Sequence, residues 1–134
     1  MKVAFATQDL ERIDAHFGWA RNLAIYDLTA EGWALDRVEE FSGELNEDGN
    51  EDKLEPKLKA LQDVSILVVA AIGGSGAARV VAQNIHPMKV AEPEPIEGML
   101  AKLQEVLKGT PPPWLRKIMA RSETRDFDFE EEEA

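Results

Sequence analysis

Val64-Ser65-Ile66-Leu67-Val68-Val69-Ala70-Ala71-Ile72-Gly73-Gly74-Ser75-Gly76 is the stretch on which the fold turns. From Val64 to Ile72 it is almost wholly apolar and rich in β-branched side chains. A run of that length without alternation reads as a strand covered on both faces, and such strands belong to parallel sheets. The glycines break it, and Ala77 to Ile85 follows as a short helix.

Working toward the N-terminus, Glu51 to Gln62 places Leu54, Leu58 and Leu61 at helical spacing, and Pro56 suits the first turn of that helix. Ser42 to Asn50 is polar and reads as a loop, with Asn50 as a helix cap. Trp33 to Phe41 alternates apolar and charged residues from Leu35 to Glu39, as a strand with one wet face does. With Asn22 to Leu28 before it and the Glu31-Gly32 turn between, it forms an antiparallel hairpin. Lys2 to Thr7 is a first strand; Asp9 and Glu11 follow too soon for a secretion signal, so a cytoplasmic protein is expected. Gln8 to Arg21 is a loop.

Toward the C-terminus, Pro87 ends the helix after the glycines, and Met88 to Ala91 is a last short strand. Ile96 to Leu107 is a helix, stopped by Gly109 and followed by the stiff Pro111-Pro112-Pro113. Trp114 to Met119 adds one or two helical turns. The expected fold is an α/β layer: a mixed five-stranded sheet, the hairpin as its antiparallel edge, with flanking helices. The first strand, Val64–Ile72 and Met88–Ala91 run parallel. Residues 1–120 form the domain and 121–134 an acidic, disordered tail.

Of 134 residues, 44% are apolar, enough for a core, and no run is long and apolar enough to span a membrane. The formal net charge is -11. In the tail, Arg121 and Arg125 face Glu123, Asp126, Asp128 and Glu130 to Glu133, and the rest of the chain is acidic too. Nucleic-acid binding needs a basic face, so that class is excluded. There is no cysteine, which excludes disulfides, thiolate zinc sites and thiolate-held iron–sulfur clusters.

In an open α/β sheet, ligands gather beyond the carboxyl ends of the parallel strands. The loop after the first strand carries Asp14-Ala15-His16-Phe17-Gly18-Trp19. His16 there is a candidate ligand or proton carrier, and equally suits a packed loop whose histidine bonds backbone. In the glycine turn, the N–H groups of Gly74, Ser75 and Gly76 at a helix start suit an anion, while the glycines also suit close helix–sheet packing. Arg79 follows that turn, and Arg12 and Arg21 flank His16, so a local positive site forms if they converge. His86 before Pro87 reads as a helix-end histidine. Without a cysteine nucleophile or a base partnered to Ser75, catalysis has thin support. Asp9, Asp14, Asp27 and Asp36 do not make a hydrolase site, since the first strand carries no acid.

Met1-Lys2-Val3-Ala4-Phe5-Ala6-Thr7, Asp14-Ala15-His16-Phe17-Gly18 and Ala70-Ala71-Ile72-Gly73-Gly74-Ser75-Gly76-Ala77-Ala78-Arg79-Val80-Val81 resemble the dinitrogenase iron–molybdenum cofactor biosynthesis family. That family holds the NifX-type proteins, the core domain of NafY and the C-terminal part of NifB. Asn46 to Leu54 and Pro111-Pro112-Pro113-Trp114-Leu115-Arg116-Lys117 extend the resemblance to about residue 118 and point to its NifX-type branch. It implies a ribonuclease H-like fold without nuclease activity. It implies a carrier, not an enzyme, that takes iron–sulfur precursors of the cofactor from NifB and exchanges them with the NifEN scaffold. It maps the cluster-binding histidine onto His16, as metal ligand or as hydrogen-bond partner of a sulfide. A preassembled cluster brings its own sulfides, which reconciles metal cargo with a chain lacking cysteine. The alternative is an anion- or small-molecule-binding regulatory domain on the same fold.

Overall fold

β1 (Lys2–Thr7) lies at the centre of the sheet in this computed structural model, which describes residues 1–41 and 54–120. On one side β1 pairs antiparallel with β3 (Asn22–Thr29), which pairs antiparallel with β4 (Gly32–Glu40). On the other it pairs parallel with β5 (Ile66–Val69), which pairs parallel with β6 (His86–Lys89). The order β4-β3-β1-β5-β6 is the mixed five-stranded sheet with an antiparallel hairpin that the pattern predicts. Gly32 closes the hairpin at φ 155°, a backbone conformation that side-chain-bearing residues rarely adopt.

Among the described residues the sheet is flanked by α1 (Glu55–Ala60), α2 (Gly74–Ala82) and α3 (Ile96–Lys108). Residues 113–120 form a fourth helix, α4, of about two turns, as expected for Trp114 to Met119. Between β1 and β3 lie β2 (Arg12–Ile13) and a short 3-10 turn, Phe17–Trp19. β2 pairs antiparallel with β7 (Glu94–Pro95) in a second, two-stranded sheet that the sequence pattern does not reveal.

Several boundaries move for identifiable reasons. β5 is shorter than Val64–Ile72 because Ala70 and Ala71 leave the main sheet to bond the His16 loop. α2 begins at Gly74, so the glycines form its first turn and do not precede it. β6 starts at His86 and contains Pro87, which was expected to end a helix. Proline is tolerated because β6 is an edge strand. His86 and Val90 donate to Ser65 and Val69 on the β5 side, so by alternation the Pro87 nitrogen faces the open edge. α1 starts at Glu55 with Pro56 in its first turn. The Ser42–Asn50 loop, the Asn50 cap, the first residues of the helix expected from Glu51, and the acidic tail lie outside the described residues.

The pleat sends alternate side chains of the buried strands into two cores. Val3, Phe5, Ile66 and Val68 join Ile96, Met99, Leu100 and Leu103 of α3 and Leu115 and Ile118 of α4. Ala4, Ala6, Leu67 and Val69 join Ala15, Phe17 and Ala20 of the first loop, Leu58 of α1 and Val80 of α2. Among the described residues no helix is long and apolar enough to cross a membrane.

Candidate functional site

The carboxyl ends of β1 and β5 bring two loops together. Ala70 N–H donates to Ala15 O at 3.0 Å, Phe17 N–H donates to Ala71 O at 2.8 Å, and His16 and Ala71 form a parallel bridge. The His16 loop therefore extends β5's edge, just before α2 begins. Phe17 is fully buried and anchors the turn. A Cβ built on Gly76 would stand 3.3 Å from Ile72 Cγ1 and 3.6 Å from Phe17 Cδ2. Gly76 is thus a packing glycine. Gly73 and Gly74 face open space, where a Cβ would meet nothing within 4 Å.

His16 is half-buried and caps the 3-10 turn: its Nδ1 accepts the Gly18 N–H at 2.9 Å. Nε2 makes no hydrogen bond among the described residues. No buried side-chain nitrogen or oxygen there lacks a partner, so Nε2 reaches solvent. At the start of α2 the first N–H groups, as in any helix, have no intrahelical acceptor, and no side chain caps them. One imidazole nitrogen and a cluster of backbone donors thus open at the same end of the sheet. This arrangement offers hydrogen bonds and a favourable helix dipole to an anionic group.

The other expected site residues are distributed more widely. Arg12 sits in β2, on the α3 side of the sheet. Its Nε donates to Asp9 Oδ2 at 3.1 Å, and it lines a pocket of about 310 Å³ with Tyr26, Pro95 and Glu97. Arg21 is exposed at the start of β3, and its backbone N–H is bonded by Gln8 Oε1. Arg79 lines a groove of about 350 Å³ between α1 and α2, with Glu55, Lys59 and Gln83. Gly76 packs against Phe17, the chain neighbour of His16, so the start of α2 lies by the His16 loop; Arg12 lines the pocket by β2 and Arg79 the groove between α1 and α2. Ser75 is exposed on the first turn of α2. Among the described residues no group of three or more His, Asp or Glu side chains gathers to hold a metal ion.

Sequence reasoning missed two residues that hold the loop in place. Gln8 accepts from Arg21 N–H, donates from Nε2 to Trp19 O at 3.2 Å, and donates its own N–H to Asp14 Oδ1 at 2.9 Å. Asp9 accepts the backbone N–H groups of Glu11 and Arg12, both at 2.9 Å. Those bonds, the Glu11 one first, hold its carboxyl well below the usual carboxylate range. The Asp-x-x cap was the available signal for Asp9; a lone glutamine gives none. His86 is no helix-end histidine: it opens β6 and stacks on Trp114, ring centroids 4.4 Å apart.

A family model described as dinitrogenase iron-molybdenum cofactor matches residues 1–106. A NifX protein of Herbaspirillum seropedicae is 61% identical over 132 residues, covering 98% of this chain and 90% of its own length. That of Rhodobacter capsulatus is 45% identical, covering 99% of this chain and 87% of its own length. The crystal structure of a putative dinitrogenase from Methanocaldococcus jannaschii matches with a TM-score of 0.55 at 12% identity, over 80% of this chain and 90% of that one, a likeness of fold alone. With the model spanning most of its length and relatives this similar, the chain belongs to the dinitrogenase iron–molybdenum cofactor family, among its NifX members.

Proposed function

We propose that this protein takes part in nitrogenase cofactor biosynthesis as a carrier and reservoir, binding iron–sulfur precursors of the iron–molybdenum cofactor between NifB and the NifEN scaffold. It works by binding and release, not by catalysis. The observation that carries this reading is the pairing of the His16 loop with Ala70 and Ala71 and its packing on Gly76, which puts an imidazole at the end of the sheet where α2 starts with backbone donors lacking an intrahelical acceptor. An iron–sulfur cluster is anionic and brings its own sulfides, so it asks the protein for hydrogen bonds and at most one or two ligands. A site with so few protein bonds also releases its cargo readily, as a carrier requires.

The working unit in this reading is residues 1–120, with 121–134 a solubilising tail. The strand order, in which β3 alone runs against the other four strands, supports a ribonuclease H-like classification. Arg12, Arg21 and Arg79 act at longer range, through the field they add around the site.

Anaerobic incubation with the NifB-made cluster, then gel filtration and iron analysis, tests the proposal. Iron is expected to co-elute with the wild-type protein and to be lost in His16→Ala. Phosphate-like anions binding at the glycine turn, with no uptake of iron, would favour the regulatory alternative. Partner binding without iron would leave an adaptor.

A further inference from the structure

The cavities beside Arg12 and Arg79 each hold carboxylates, Glu97 in one and Glu55 in the other. The surface around α4 differs. Trp114 is a wall of two hollows there. One, of about 210 Å³, lies between α2, β6 and α4 and is lined by Val81, Ile85, Pro87 and Ile118. The other, of about 550 Å³, adds Pro113 and Arg116. Lys117 borders both, and no Asp or Glu lines either. On a chain with 26 acidic residues against 15 basic ones, cations without a carboxylate among them stand apart. Arg116 and Lys117 are exposed and make no ion pair among the described residues. Val81 is 55% exposed, a large apolar side chain left in water.

Six residues past α4 the chain reads Asp126-Phe127-Asp128-Phe129-Glu130-Glu131-Glu132-Glu133. Two apolar rings alternate with acids, and no base interrupts them. In an extended chain alternate side chains share a face, so Phe127 and Phe129 can enter one hollow together with acids on either side. Lys117 and Ile118 border the hollow within one turn of the tail's first residue. The seven residues to Phe127 reach about 20 Å, ample for that approach.

We infer that the hollow formed by Val81, Pro87, Trp114 and Ile118 is a docking site for the chain's own acidic tail: Phe127 and Phe129 cover its apolar wall, and the acids around them face Arg116 and Lys117. Exposed ion pairs add little one by one, so the rings supply the attraction and the charges fix the orientation. Tethering makes weak attraction count. On so short a linker the tail meets the hollow at an effective concentration on the order of 1 mM. A Kd of about 1 mM for the same segment as a free peptide would therefore keep the hollow filled about half the time. The tail of a second copy, at micromolar concentration, cannot compete with that. This docking is independent of the His16 site and of the cargo reading, and it gives the tail a place on the fold beyond solubilising it.

Tryptophan-labelled 1H–15N spectra of the full chain test this. Of the three tryptophans only Trp114 lines the hollow, and Trp19 and Trp33 are controls. Phe127→Ala/Phe129→Ala is expected to move the Trp114 indole resonance and leave the other two in place. A synthetic peptide of residues 121–134, added to that variant at millimolar concentration, should carry Trp114 back toward its wild-type position. Because the chain has no cysteine, Ala134→Cys takes a single nitroxide. That label is expected to broaden the amides of Val81 and Met88 as well as those at the end of α4. A Trp114 resonance that ignores both the double variant and the peptide overturns the inference, as does broadening confined to the last turn of α4. A wild-type Trp114 position that changes on dilution assigns the hollow to a second copy's tail and overturns docking within one chain.

Discussion

The two faces of the central sheet are built from different materials. Toward α3 and α4 the strands send Val3, Phe5, Ile66 and Val68, and the helices answer with Ile96, Met99, Leu100, Leu103, Leu115 and Ile118. Toward α1 and α2 the central strand sends only Ala4 and Ala6, joined by Ala15 and Ala20 of the first loop, and the bulk on this face comes from its neighbours, Leu23, Ile25, Leu67 and Val69, and from Phe17 and Leu58. Bulky side chains bury more apolar area and hold their helices firmly. Small ones let backbone come close, and that is where the His16 turn and Gly76 of α2 sit. What the central strand lacks in apolar bulk on this face is partly replaced by polar clamps. Arg37 of β4 donates to Asp63 at 2.8 Å and to Ala60 O at 3.1 Å, tying the end of α1 to the sheet edge. The difference teaches that the central strand gives bulky packing to one face and close backbone approach to the other.

The sharpest way to break that contrast is on the bulky side. Phe5→Ala is expected to lower stability by about 3–5 kcal/mol, measured by urea unfolding, while the Gly18 amide and His16 resonances of the folded protein keep their positions. Loss of the His16 signature together with stability would mean the faces are not separable.

On the site side, Gly76→Val is expected to cost less, about 1–3 kcal/mol, because its new methyls press on Ile72 and Phe17. It should nonetheless displace the His16 and Gly18 resonances, which Phe5→Ala leaves in place. A Gly76→Val protein with native spectra would show that the turn does not depend on close packing.

The smallest effect belongs to the polar clamp. Hydrogen bonds from Arg37 hold the carboxyls of Asp63 and Asp36 below their usual range. A group lowered on folding contributes stability that is complete above its ordinary value and is lost as pH falls through the lowered one. Arg37→Met should therefore cost under about 1 kcal/mol near neutrality, since these groups are partly exposed. The cost should shrink in acid to what the bond from Arg37 to the Ala60 carbonyl contributes, since that acceptor does not titrate. A difference that stays undiminished or grows below the carboxylate range would contradict the assignment.

Much of this was legible in the chain. The unbroken apolar run at Val64–Ile72 placed the buried parallel strand, the alternation at Leu35–Glu39 placed the outer one, and the Asp14–Gly18 loop and glycine turn did come together. The losses have physical causes. β2 and β7 have two residues each, too few to carry a period. A lysine in an amphipathic segment reads as solvent-facing, so Lys57 gave no hint of burial. The strand-end rule selects loops but not the side of the sheet on which a side chain leaves them, so it could not separate Arg12 from His16.

Pro87 carries a consequence of another kind. β6 is the sheet's outer strand, and on its open side Pro87 offers no N–H while Lys89 places a charge at the next outward position. A further strand approaching that border finds a missing rung and a cation to desolvate. The edge is thus closed to zipping with a neighbouring copy, and crowding many copies together should not by itself lengthen the sheet.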